Sequence, residues 1–283
     1  MRALVLGGVA WCSLVYLDRL PDGRSETLFA ERSHETVGSS GAGKAMNLSR
    51  LGFDVTLWAP VGDDEPGSKA REALRRWGVD LVSPIDPAGT ERHINLMGPG
   101  GERVSILVAA GGDEAVVDFE SLAGPAAVAD LATVTIQNRC RRFLPWLRAM
   151  GKPIWVDIHD YDGEADHHRD FIEAADFLFM SSAAGRNWRG LIEGRVAAGA
   201  EVGVCTHGAE GAGGYTAAEG WVEVEAVPVS DVVDTNGAGD AFFSGFAAAW
   251  LDGGGLRESL GRGAECAAEA IRSPELAPAP ETG

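Results

Sequence analysis

Short apolar runs recur along the chain at Arg2 to Gly7, Val55 to Ala59, Leu131 to Gln137, Pro153 to Ile158, Phe177 to Met180 and Val202 to Thr206, each bounded by turn residues. Runs of this kind, separated by helix-like segments, predict strands of a largely parallel sheet covered on both faces, an α/β class. Stops place the helices: one ends at Leu51-Gly52, one runs from about Pro66 to Trp77 before Gly78, and one covers roughly Arg141 to Met150 before Gly151. Each glycine suits the left-handed position just past a helix. Ala238 to Leu251 and Leu256 to Ile271 predict a closing helix pair across Gly253-Gly254-Gly255, with no strand after them. Val9 to Val37 and Glu91 to Ala109 break the rhythm and predict antiparallel ribbons, the second turning at Gly98 to Gly101. The expectation is one domain over residues 1–283, with a small β-lid inserted at about 9–37 and 91–109 and a Pro-rich tail, "SPELAPAPETG", that frays.

Composition narrows the function classes. With 24 basic against 42 acidic residues the net charge is −18, which disfavours nucleic acid and anionic membrane surfaces as partners. Cys12, Cys140, Cys205 and Cys266 are scattered without metal-ligand or disulfide spacing, which fits a reducing cytoplasm. The apolar opening "MRALVLGGVAWCSLVYLD" is broken by Gly7-Gly8, is too short to span a bilayer and lacks a small-residue cleavage site, so it reads as a buried first strand.

Two glycine-rich stretches compete as phosphate sites. In "VGSSGAGKAMNLSRLG", Gly38 and Gly43-Lys44 have P-loop spacing, but Ala45 stands where a magnesium-holding Ser or Thr is needed and the preceding "ERSHETV" is too polar for a buried strand. In "VVDTNGAGDAFFSGF" the small residues of Thr235-Asn236-Gly237-Ala238-Gly239 let backbone N–H groups converge where a helix begins, which is an anion hole reinforced by the helix dipole. Asp240 follows in the first turn, where a carboxylate either takes a proton from an alcohol or simply stabilises the helix end.

"DTNGAGDAFFSGF" resembles the C-terminal signature of the ribokinase-like (PfkB) carbohydrate kinases, and the first stretch, ending in Arg50-Leu51-Gly52, resembles that family's N-terminal glycine signature. "APVGDDEPG", "GERVSILV" and "VCTHGAEGAGGY" extend the resemblance over nearly the whole chain. It implies a ribokinase-like fold and ATP-dependent phosphorylation of a hydroxyl on a sugar or sugar derivative, with magnesium on the nucleotide. Asp240 would be the general base and the N–H groups of Gly237, Ala238 and Gly239 the anion hole. Thr206, Gly208, Gly211, Thr235 and Asn236 would contact ATP, helix 256–271 would wall off the adenine, and Gly38, Ser39, Gly41 and Lys44 would face the substrate. Asp234 would lie beside a monovalent cation, or serve only as a turn residue. The Gly-Lys spacing is then a decoy, and a homodimer through the lid edge is expected.

Departures from the family pattern concern the substrate. The usual early aspartate falls on Ser13, the signature asparagine on Gly43, and a third contact near Arg139. Lost negative and gained positive charge suggests an anionic substrate gripped by the Arg139 fork and the Lys44 point charge; the alternative is a neutral sugar or a nucleoside held by other residues. Ser181 and Ala184 replace an Asn-x-x-Glu that organises magnesium-bound water in relatives, which leaves open a catalytically weak or inactive ligand-binding protein. "DIHDYDGEADHHRD" is rich in His and Asp but lacks clear ligand spacing, so only Asp157 at the strand end is expected to face the cleft.

Overall fold

The computed structural model describes residues 1–183 and 187–279. Its strands are β1 (Arg2–Leu6), β2 (Ala10–Tyr16), β3 (Arg32–Gly38), β4 (Asp54–Trp58), β5 (Asp80–Val82), β6 (Glu91–Met97), β7 (Arg103–Ala109), β8 (Leu131–Thr135), β9 (Ile154–Asp157), β10 (Phe177–Ser181), β11 (Val202–Thr206), β12 (Ala212–Thr216) and β13 (Gly220–Val224). The helices are α1 (Ser40–Arg50), α2 (Glu65–Arg76), α3 (Phe119–Val128), α4 (Phe143–Ala149), α5 (Arg169–Ala174), α6 (Trp188–Ala197), α7 (Ala238–Leu251) and α8 (Leu256–Ala270). A nine-stranded sheet runs in the order β13-β12-β11-β10-β9-β8-β1-β4-β5, and β3-β2-β6-β7 form a second sheet of four. From β5 to β11 every neighbouring pair is parallel; β12, whose glycine-rich sequence "AGGYT" conceals a strand, runs antiparallel to both β11 and β13.

Strand alternation sorts the core. Ala3, Val5, Trp155, Phe177, Phe179 and Val204 face α1, α2, α7 and α8, whereas Leu4, Leu6, Val134, Val156 and Met180 face α3, α4, α5 and α6. Trp155 lies flat on Phe177 at 3.8 Å between ring centroids, with Phe243 and Phe246 of α7 edge-on to it, so α7 is anchored on the sheet by aromatic packing. Helix α2 starts where its sequence says: Asp64 accepts from Gly67 N at 2.9 Å with Pro66 in the first turn.

One expectation fails. The tail does not fray up to Ala277, because Leu276 and Ala277 are buried and the Leu276 carbonyl accepts from Asn47 Nδ2 at 2.9 Å. No helix among the described residues is long and apolar enough to cross a membrane.

Candidate active site

The chain leaves β1 outward to β4 and β5, then returns to β8 on the other side of β1. Open α/β sheets place ligands at the carboxyl ends of the strands flanking such a reversal. Helix α1 begins directly on that edge because two glycine segments touch: a Cβ on Gly41 would stand 2.6 Å from Gly8 N, and Ala42 N donates to Gly8 O at 3.1 Å. Helix α7 packs beside α1, and Gly43 of α1 faces its first turn, where a Cβ on Gly43 would lie 2.2 Å from Asp240 Oδ2.

Asp240 is 9% exposed. Its Oδ1 accepts from Ser40 Oγ at 2.7 Å and from Lys44 Nζ at 2.6 Å. Lys44 Nζ also donates to Asp157 Oδ2 at 2.9 Å, and Asp157 Oδ1 accepts from His159 N at 3.0 Å. Burial opposes charge on Asp157, but the Lys44 ammonium and the His159 contacts outweigh it and hold its pKa down at about 2. Gly237, at the N-cap of α7, has φ +82° with Leu276 O where a Cβ would go, so only glycine makes this turn. The N–H groups that open α7 lack partners inside the helix; Ala238 N makes only a long 3.4 Å bond to Thr235 O.

The lid sheet lies over this edge. On its inner face Cys12, Leu14 and Tyr16 of β2 stand beside His93, Asn95 and Met97 of β6, with Glu91 level with Ala10. Four hydrogen bonds tie it to the loop entering α7: Tyr16 Oη donates to Asp234 Oδ2 at 2.9 Å, Arg103 donates to Asn236 Oδ1 at 2.6 Å, Thr235 Oγ1 donates to Gly101 O at 3.4 Å, and Arg32 donates to Val233 O at 3.4 Å. Burial and the Asp234 carboxylate push the Tyr16 pKa above its usual range.

The predicted site residues divide. Gly237, Ala238, Gly239 and Asp240 meet Ser39, Gly41, Gly43 and Lys44 at the two helix starts, with Thr235 and Asn236 immediately before them. Thr206 ends β11, and Gly208 and Gly211, both at positive φ, shape the turn into β12 on the same edge of the sheet. Gly38 ends β3 against Cys12, where a Cβ would stand 2.1 Å from the Cys12 sulfur. Ser13 is misplaced: it alternates with Cys12 and shares the outer face of β2 with Trp11, whose indole donates to Glu35 beneath Lys69 of α2.

Neither expected anion-binding cation is free. Lys44 is 1% exposed and shared by two carboxylates; Arg139, 4% exposed, donates to Glu91 Oε2 at 3.0 Å and to Gly112 O at 3.2 Å. Asp234 has both oxygens engaged, Oδ2 by Tyr16 and Oδ1 by Asn236 N at 2.7 Å. Ser181 closes β10 with its hydroxyl turned back to Ala183 N, and Ala184 lies outside the described residues. Among the described residues no three His, Cys, Asp or Glu side chains are placed to hold a metal, the 157–170 stretch included.

Sequence reasoning missed a polar stripe. Glu91, His93 and Asn95 alternate along β6, and Glu91 links Arg139, His93 and Gln137, the last folded over Gly8. The period-two polar pattern of "ERHIN" within a strand was the available signal. Contacts to Cys12 and Glu91 outweigh burial and raise the His93 pKa from 6.5 to about 9. The stability this charge gives is present below the unfolded value and lost as pH rises through about 9.

The pfkB family carbohydrate kinase profile matches residues 9–282. The chain belongs to the pfkB family of carbohydrate kinases. This kinase is 30% identical over 279 residues to the acarbose 7(IV)-phosphotransferase of an Actinoplanes species, covering 96% of this chain and 92% of that one. It is 31% identical to the ATP-dependent ribose-1-phosphate kinase of Halopiger xanaduensis, covering 95% and 91%. Its fold superimposes on a microbiome-derived acarbose kinase with TM-score 0.87 at 29% identity, covering 96% and 93% of the two chains. With an Arabidopsis thaliana ribokinase solved with ribose and ATP the TM-score is 0.79 at 21% identity, covering 98% and 95%. The fold is ribokinase-like, and the protein is an ATP-dependent kinase of the sugar-kinase class.

Proposed function

We propose that the kinase moves the γ-phosphoryl group of ATP to one hydroxyl of a neutral, hydroxyl-rich sugar or sugar derivative, with Asp240 as general base. The supporting observation is the junction of two helix starts, where the Asp240 carboxylate stands beside N–H groups of α7 that have no partner inside the helix. The acceptor's proton passes to Asp240 as its oxygen forms the new bond to phosphorus and the bond to ADP breaks. Gly237, Ala238 and Gly239 N–H groups stabilise charge on the moving group. Helix α8 and the 206–211 turn form the nucleotide side. Magnesium bound with the nucleotide would supply charge neutralisation on its phosphates. A monovalent cation at Asp234 would share the carboxylate with Tyr16 Oη and Asn236 N, which take one lone pair on each oxygen.

The ion pairs support a neutral acceptor, because Lys44 and Arg139 both have carboxylate partners. A panel of neutral sugars, oligosaccharides, sugar acids and sugar phosphates, read by ATP-dependent ADP release, is expected to give turnover with neutral members; turnover confined to phosphorylated sugars sinks the reading. Glu91→Gln frees the Arg139 fork. For a matched neutral and phosphorylated pair, the kcat/KM ratio is expected to shift about tenfold or more toward the anion, the scale of one charge-assisted hydrogen bond.

We further propose a homodimer through β7. Among the described residues this strand pairs only with β6, and Val104, Ile106, Leu107 and Val108 along it are 41–57% exposed, an unusual apolar density for a sheet edge. Wild-type protein is expected to elute as a dimer in light-scattering chromatography and Ile106→Lys as a monomer; identical masses refute the interface.

A further inference from the structure

The Gly43-Lys44 pair, rejected as a P-loop, sits against the base itself. Lys44 Nζ has three acceptors for its three hydrogens: Asp240 Oδ1 at 2.6 Å, Ser40 Oγ at 2.6 Å and Asp157 Oδ2 at 2.9 Å. Ser40 Oγ in turn donates a hydrogen bond to the same Asp240 Oδ1 at 2.7 Å. Oδ1 thus accepts two hydrogen bonds, whereas among the described residues Oδ2 accepts none. Oδ2 also lies beside Gly43, where any side chain would occupy its space. The two oxygens of one carboxylate are therefore in different chemical situations.

We propose that Lys44 is a positioning residue for phosphoryl transfer: with Ser40 it clamps Oδ1, and so leaves Oδ2, kept open by Gly43, as the oxygen that takes the acceptor's proton. The inference rests on Asp240 being the base. It explains why the substitution of glycine for the family's asparagine at 43 and the presence of lysine at 44 belong together, since a longer side chain at 43 would cover the oxygen that the lysine leaves exposed.

Charge gives Lys44 a second part in the same role. The titratable groups facing it are Asp240 from α7 and Asp157 from the end of β9, with His159 Nδ1 beyond, 3.6 Å from Asp157 Oδ2; α1 contributes only the uncharged Ser40. The Phe243 ring lies beneath, 5.0 Å from Nζ. Burial disfavours the ammonium, but the Asp157 and Asp240 carboxylates outweigh it and raise the Lys44 pKa, so the lysine stays charged while the base works. Without that cation two buried carboxylates would face each other, and their mutual repulsion would favour a proton on one of them.

The test compares Lys44→Met, Lys44→Arg and the double variant Lys44→Met/Asp157→Asn with wild type, using ATP and the best neutral sugar from the panel. Lys44→Met is expected to lower kcat by about 10–100-fold with acceptor KM changed by less than about threefold, the pattern of an interaction used in the transition state. Its acid limb in kcat/KM against pH moves up by about one unit or more. Removing Asp157 as well returns the limb toward wild type while kcat stays low, because the competing carboxylate is gone but the clamp is not restored. Lys44→Arg keeps the limb and lowers kcat. A folded Lys44→Met with wild-type kcat, or with an unmoved limb, overturns the proposal; if Lys44→Met does not fold, wild-type kcat in Lys44→Arg overturns it and reduced kcat at constant KM supports it. Asp240→Asn separates the two ideas: retained activity there fails the base itself, whereas an inactive Asp240→Asn beside an unaffected Lys44→Met fails this inference alone.

Discussion

Asp240→Asn is expected to lower kcat by at least about 10²–10⁴-fold, the range general acid–base catalysis supplies. The amide keeps the shape of the carboxylate and an oxygen able to accept from Ser40 and Lys44, both of which now bond to Oδ1. What it loses is the capacity to take a proton. Some stability goes with it, because buried Lys44 then faces one carboxylate, Asp157, instead of two; a charged hydrogen bond of this kind contributes about 1.5–3 kcal/mol. Initial rates of ADP release, paired with thermal melts and near-ultraviolet dichroism, separate the two effects. A folded Asp240→Asn that keeps more than about a tenth of wild-type kcat would falsify the assignment of the base.

Local chemistry made part of this site legible in the sequence. The turn, the α7 start and the carboxylate fall within Thr235 to Asp240, so neighbouring residues alone specify the helix start and the position of the proposed base. Parallel strands were readable for a similar reason, as apolar runs ending in turn residues. Lys44 was not, because its partners Asp157 and Asp240 are 113 and 196 residues away in the chain, and only the folded sheet brings them to α1. Arg139 looked like a free fork for the same reason: its partner Glu91 lies 48 residues earlier, on the other sheet. The error at Ser13 is of another kind. A shift of one residue along a strand turns a side chain to the opposite face, and here it puts Cys12, not Ser13, beside His93 on the inner surface. The buried tail carries prolines that resemble a fraying end, yet backbone carbonyls of Pro274 and Leu276, to which no side-chain pattern points, help to hold it beside the buried Leu276 and Ala277 and the Glu275 bond to Thr36.

The Leu276 carbonyl is the reason for the second large effect, expected in Gly237→Ala. Gly237 has φ +82°, a conformation that costs an L-residue roughly 1–2 kcal/mol. A Cβ there would also stand 2.7 Å from Leu276 O and 3.0 Å from Leu276 Cα. Neither atom yields easily, since Leu276 is buried and its carbonyl is held by Asn47 from α1. The start of α7 must therefore move, and the N–H groups proposed to stabilise the transferred phosphoryl move with it. Misplacing one such donor removes about 10²–10³-fold in kcat, with acceptor KM changed far less. Gly239, two residues on, provides the contrast: it has no positive φ and nothing within 4 Å of a would-be Cβ, so Gly239→Ala is expected to melt within a few degrees of wild type while Gly237→Ala melts earlier. Wild-type kcat in Gly237→Ala would mean that charge on the phosphoryl group is stabilised somewhere other than the opening turn of α7.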